Sequence, residues 1–191
     1  MRYEDHHCAV HFFSHVKPGC GTVRKLPASK KSVLIDGYFD EDEWKDGTSL
    51  TVGDSLTLYF KQDPENLYWC LRSHHRIAQL AGVDFYFSKG ETLTNLHASA
   101  KLGERLFNGK DYGDWIWWNN REWTANVVKL DVPESRKFFR DECKEFQIRK
   151  SFSRESRARL MFTIQYPKNL ETRFPADASE MNADHWLDIS W

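Results

Sequence analysis

Leu56-Thr57-Leu58-Tyr59-Phe60-Lys61-Gln62-Asp63-Pro64-Glu65-Asn66-Leu67-Tyr68-Trp69-Cys70-Leu71-Arg72 reads as two alternating runs with a turn between them. Side chains of an extended chain point to opposite faces with period two. Leu56, Leu58 and Phe60 therefore share one face, and Leu67, Trp69 and Leu71 share the matching face of the second run. The connection Lys61-Gln62-Asp63-Pro64-Glu65-Asn66 is rich in turn formers and of hairpin length, so the pair is expected to be antiparallel with one face buried. Tyr59 and Tyr68 fall on the other face. Aromatic side chains on both faces call for a second apolar environment, and a surface that stacks on a ligand is the expected one.

The same period continues outward. Val83-Asp84-Phe85-Tyr86-Phe87-Ser88 and Trp115-Ile116-Trp117-Trp118 alternate, and strands are expected at 55–60, 67–72, 82–88, 95–101, 114–118, 122–130, 145–150, 157–165 and 185–191. Val83, Phe85 and Phe87, with Ala158, Leu160, Phe162 and Ile164, extend the buried face. Asp40-Glu41-Asp42-Glu43 running into Trp44 predicts a short helical turn, its acidic start complementing the helix dipole and Trp44 pointing inward. Residues 133–145 are the one other segment that suits a helix. About nine short strands with one or two helical turns predict an all-β, antiparallel β-sandwich of immunoglobulin-like or jelly-roll-like type. Residues 1–31, broken by Lys17-Pro18-Gly19-Cys20-Gly21, read as a poorly ordered leader or an edge strand, and 32–191 as the sandwich. The stretch from Tyr166 to Ala183 reads as a long polar connection. The last strand, carrying Trp186 and Trp191, is expected to be paired into a sheet.

A chain of 191 residues can bury a real core without staples. With 27 basic and 28 acidic residues its formal charge is −1, which argues against nucleic acid or an anionic membrane as the main partner. No apolar run approaches the ~20 residues that cross a bilayer, and the polar start lacks a signal peptide's apolar stretch, so the visible chain reads as soluble. Cys8, Cys20, Cys70 and Cys143 form no C-x-x-C pair and do not settle the compartment; Cys70 and Cys143 are expected to be free thiols.

Val33-Leu34-Ile35-Asp36-Gly37, followed by the acidic stretch and Trp44, resembles the opening of the family-nine carbohydrate-binding modules and the wider DOMON-like sandwiches. Asp63-Pro64-Glu65-Asn66-Leu67-Tyr68-Trp69 resembles the next hairpin of that family, and Val83-Asp84-Phe85-Tyr86-Phe87 the strand after it. The resemblance spans residues 33–191 and implies a strand at 33–35, a sandwich fold and saccharide binding through tryptophans on one face, often beside a glycoside hydrolase in carbohydrate catabolism. Such relatives are usually extracytoplasmic. Other DOMON-like relatives bind haem through Met and His.

Sugars present flat C–H faces with a rim of hydroxyls, so their sites need an aromatic plate bordered by polar groups. Asp114-Trp115-Ile116-Trp117-Trp118-Asn119-Asn120-Arg121-Glu122-Trp123 holds all these parts. Trp115 and Trp117 are expected to share a face as stacking plates, with Trp123, Asn119, Arg121, Tyr86 and Asp84 flanking them. Arg72 and Ser88 lie on the same strand faces as Tyr86 and Asp84, and His97 reads as a hydrogen-bonded sheet histidine. The competing reading packs all four tryptophans and gives a structural or protein-interaction sandwich. His7, His11 and His15 have the i, i+4, i+8 spacing of a metal-binding helix stripe, but no second cluster completes the set, and no acidic loop has calcium spacing. Haem would require Met161 and Met181 to meet a His such as His74, His75 or His185. No phosphate loop, nucleophile elbow or zinc helix is present, and the acidic clusters suit turns better than a glycosidase cleft. The expectation is a saccharide-binding module without catalytic residues, cofactor or metal, with another domain or chain as a further partner.

Overall fold

A computed structural model describes residues 23–53, 56–73, 82–117, 122–126, 143–153, 155–166 and 170–191. Two antiparallel sheets face each other across one core, as the alternation predicted. The first contains β1 (Arg24–Lys25), β5 (Gly82–Lys89), β6 (Thr92–Ala98), β7 (Leu102–Leu106), β8 (Ile116–Trp117), β11 (Arg157–Tyr166), β12 (Leu170–Phe174) and β13 (Leu187–Ser190). Its order is β1-β13-β11-β5-β6-β7-β8, with β12 also paired to β11. The second runs β2 (Thr48–Val52), β3 (Leu56–Gln62), β4 (Asn66–Ser73), β10 (Cys143–Arg149) and β9 (Trp123–Ala125). β1 joins β13 in parallel, and every other pairing is antiparallel.

The hairpin at 56–73 forms in the expected register, Phe60 opposite Trp69 and Leu58 opposite Leu71. Asp63 organises its turn: Oδ1 accepts the N–H groups of Glu65 at 2.8 Å and Asn66 at 2.6 Å, and Oδ2 accepts the Tyr68 hydroxyl at 2.6 Å. Leu56, Leu58, Phe60, Leu67, Trp69, Leu71, Val83, Phe85, Phe87, Ala158, Leu160, Phe162 and Ile164 all lie in the central core. Each large apolar side chain enclosed there contributes about 1.5–3 kcal/mol.

Thirteen strands occur among the described residues, against about nine expected. β2 is an edge strand of Thr, Ser, Leu and Val whose exposed face mutes the apolar signal. The expected strand 95–101 is a strand to Ala98 and then a tight turn, where Ser99 N–H donates to the Lys101 carbonyl at 3.0 Å before β7 begins. β12 occupies part of the expected polar connection. Residues 33–35 are not a strand; they lie across the second sheet with Val33 buried and Leu34 exposed. The helical turn α1 (Glu41–Trp44) forms, capped by Asp40, whose carboxylate accepts Asp42 N–H at 2.8 Å, and it buries Trp44. The helix expected at 133–145 falls mostly outside the described residues, and Cys143–Glu145 belong to β10. Residues 1–22 lie outside the description, whereas Arg24 and Lys25 form an edge strand and Leu26 enters the core. Among the described residues no helix is long and apolar enough to cross a membrane.

Both outer sheet faces are largely covered. Residues 33–44 lie over the second sheet, packing Val33 and Trp44 on Tyr68, Cys70 and Cys143. On the first sheet, Ala178 and Trp186 cover Tyr86, Leu93 and Met161, with Phe107 and Tyr112 beside them. The aromatics on the second faces of these strands are therefore sheltered by the chain itself, which corrects the expectation that a ligand surface accounts for them.

Candidate functional site

The uncovered part of the first sheet's outer face lies over β6, β7 and β8. Register aligns Trp117, Gly103, His97 and Asp84 in one cross-strand row. Trp115 and Trp117 fall on the same side, as alternation predicts, and their rings stack with centroids 5.4 Å apart and planes 24° from parallel. Gly103 makes this possible. A Cβ there would lie 2.9 Å from Cε3 and Cζ3 of Trp117 and 3.0 Å from Cε3 of Trp115, so the indoles rest against bare backbone. The His97 ring meets both edge-on, at 5.4 Å from Trp115 and 6.2 Å from Trp117.

Cations border the shelf. Lys101 Nζ is 5.8 Å from the Trp117 ring centre, and the Arg105 guanidinium lies 4.4 Å from Trp115 and 4.7 Å from Tyr112. Tyr112 continues the series to Tyr86 at 5.9 Å, and Tyr86 to Trp186 at 6.1 Å. The result is a ladder of rings and charges from the sheet edge to the covered centre. Trp117 is 51% exposed at its outer end, whereas Trp44, Trp69, Trp123 and Trp186 are buried.

The expected site residues divide accordingly. Trp115, Trp117 and Asp84 lie on this face, Asp84 beneath His97. Tyr86 is 2% exposed, enclosed between Tyr112 and Trp186, and burial pushes its phenol well above the usual range. Trp123 is 4% exposed; it packs on Phe146 in the core and donates its indole N–H to Glu104 Oε2 at 3.0 Å. Both are buried packing residues, which corrects their expected place as flanking groups at the surface. Asn119 and Arg121, with Trp118, lie outside the described residues, as do His7, His11, His15, Cys8, Cys20, His74 and His75. Of the other polar candidates, Arg72 stacks its guanidinium over Phe39 at 3.9 Å, and Ser88 accepts the Arg159 N–H at 2.9 Å. Met161 is buried in the satellite cluster, and His185 pairs with Asp177 at 3.2 Å.

Sequence reading did not find Lys101, Gly103 or Arg105 for this site, nor the chain of contacts made by His97. His97 Nδ1 lies 3.0 Å from Asp84 Oδ1, and Nε2 lies 2.9 Å from Ser99 Oγ. A glycine amid strand residues, Leu102-Gly103-Glu104, was the available signal for a close approach.

A second cluster lies under residues 33–44. Cys70, Cys143 and Glu145 are buried with their potential ligand atoms within 4.8 Å of one another. The set could supply two thiolates and a carboxylate to a soft metal. The carboxylate is already engaged, however: Oε2 accepts Asp36 N–H at 3.0 Å and Gly37 N–H at 2.9 Å, and Oε1 accepts Trp44 Nε1–H at 3.3 Å. Burial pushes Glu145 up to about 7 against these donors, and it raises the Cys70 thiol as well. A carboxyl already holding three donors from the covering segment makes a latch for it, not a preformed metal site. Cys70 and Cys143 form no disulfide, as expected. Elsewhere, a cavity of about 210 Å³ bordered by Ser88, Glu155, Arg157, Arg159 and Asp188 is smaller than the roughly 300–1,000 Å³ of ligand pockets.

No protein-family model matches the chain, and no curated protein matches it. Among solved structures the chain is similar to a family 9 carbohydrate-binding module from Caldicellulosiruptor kristjanssonii, solved in complex with cellotriose. Identity is 13%, the TM-score is 0.48, and the likeness covers 87% of this chain and 93% of that one. The all-β sandwich stands on the strand pairings themselves.

Proposed function

We propose that the protein is a saccharide-binding module whose platform is the Trp115–Trp117 pair. The observation that carries this reading is the half-exposed Trp117 ring, backed by Trp115 and seated on Gly103, on a molecule whose other described sheet aromatics are mostly covered. A pyranose can lay its C–H face on that indole while His97, Lys101 and Arg105 border it with groups that bond hydroxyls. Asn119 and Arg121 follow the shelf in sequence and are proposed as further rim groups. A role beside a glycoside hydrolase is what the family resemblance adds.

Tryptophan fluorescence titrated with soluble β-glucan, xylan and mannan oligosaccharides tests this. A saturable shift with one sugar class, lost in Trp117→Ala, is expected; silence across the panel removes the proposal. A protein-interaction surface is the second reading, favoured by Leu106 and Ile116, which are exposed on the opposite side of the same sheet edge. It predicts no sugar response. Of the haem candidates, Met161 is enclosed, Met181 is exposed and His185 faces Asp177; a Soret band on mixing with haem would favour that reading.

A further inference from the structure

Ser99, in the turn after β6, completes a three-residue relay on the outer face of the first sheet. Asp84 is buried, His97 has 18% of its side chain exposed, and Ser99 is partly exposed, so accessibility rises along the series. Hydrogen-bond roles follow from the donor inventory. A carboxylate only accepts, so Asp84 draws the proton to His97 Nδ1; Nε2 then offers its lone pair, and the Ser99 hydroxyl donates to it. The 3.0 Å and 2.9 Å separations are those of an activated nucleophile and its base. The relay is held by regular β pairing, with Asp84 opposite His97 and Val83 opposite Ala98. Gly82 leaves room beside it, since a Cβ there would sit 3.4 Å from His97 Cε1 and 3.9 Å from Ser99 Cβ.

We propose that Ser99 is a nucleophile, with His97 as its general base and Asp84 as the residue that orients His97, acting on short acyl esters of flat, ring-bearing alcohols. In the first step Ser99 Oγ bonds to the acyl carbonyl carbon while its proton passes to His97 Nε2. The Lys101 backbone N–H donates to Ser99 Oγ at 3.4 Å and fixes the turn that carries the hydroxyl. The ester C–O bond then breaks, and the leaving alcohol oxygen takes the proton from His97. Water attacks the acyl-serine, giving its proton to His97 and then to Ser99, and releases the carboxylic acid. The indoles beside His97 provide the surface for the alcohol's ring. This activity stands apart from saccharide binding, because its test ester contains no sugar.

The whole chain is incubated with a fluorophosphonate probe and, separately, with p-nitrophenyl acetate. One label per chain, mapped to Ser99 by mass spectrometry, is expected, together with ester hydrolysis that falls at least ~100-fold in Ser99→Ala and His97→Gln. The wild-type label reads the nucleophile without relying on a variant's folding, and near-UV circular dichroism checks the variants. An unlabelled wild-type protein, a label elsewhere, or hydrolysis undiminished in a folded Ser99→Ala overturns the proposal.

Discussion

Glu145 should make this protein lose stability as pH rises across neutrality, the reverse of the usual paired carboxylate. Its side chain is buried beneath residues 33–44, facing Cys70 and Cys143 on the sheet and Asp36, Gly37 and Trp44 on the covering segment. Burial is the dominant influence and lifts its pKa from 4.5 to about 7, with a smaller push from the Asp36 charge and partial relief from the Gly37, Asp36 and Trp44 donors. The folded state therefore holds a proton that the unfolded chain has released. Its stabilising contribution is full below pH 4.5 and disappears as pH climbs through about 7. At roughly 1.4 kcal/mol per pH unit, that span amounts to about 3 kcal/mol. Asp46 and Asp63 lie outside the window: their partial burial is outweighed by donors that include Ser29 and Lys61 for one and Tyr68 for the other, so they titrate below 3.8. Urea unfolding followed by tryptophan emission at intervals from pH 5 to 8 reads the effect. With an m-value of about 2 kcal/mol/M, the midpoint should fall by about 1–1.5 M, and Glu145→Gln should flatten the profile. A midpoint that rises with pH, or an equal slope in Glu145→Gln, refutes the reasoning.

Gly103→Ala should lift both indoles from the sheet, because the new methyl group meets them at 3.0 Å or less; near-UV circular dichroism should lose the coupled Trp115–Trp117 signal while far-UV dichroism stays unchanged. Asp46→Ala strips the buried Lys61 ammonium of its carboxylate at 3.1 Å, leaving Ser29 and the Glu43 carbonyl as partners. A loss of about 1–2 kcal/mol in urea unfolding is expected, short of a fully buried pair because Asp46 is partly exposed. In Cys8→Ser/Cys20→Ser protein, the two remaining thiols should resist a chromogenic disulfide reagent until urea unfolds the chain; prompt reaction would contradict their burial.

Period-two alternation was enough to place the centre of the core, since it assigns each side chain to a face and one face of β3, β4, β5 and β11 is apolar. It says nothing about what lies on the other face. Tyr59, Tyr68 and Tyr86 therefore looked available until residues 33–44 and 178–186 were seen to lie over them. Strand ends were harder to read where Ser99-Ala100-Lys101 turns without Gly, Pro or Asn, and β7 then passed unnoticed behind a glycine and two charges. Trp115 and Trp117 were legible because they are two residues apart in an extended stretch that ends in β8. The Ser99–His97–Asp84 relay was not, because Asp84 lies on another strand and only register brings it to His97.

β8 is two residues long and, among the described residues, pairs with β7 alone through Gly103 and Glu104. The proposed platform is thus a trim fastened outside a finished building. Exchanging these rings for others would leave untouched the interior that decides whether the chain folds.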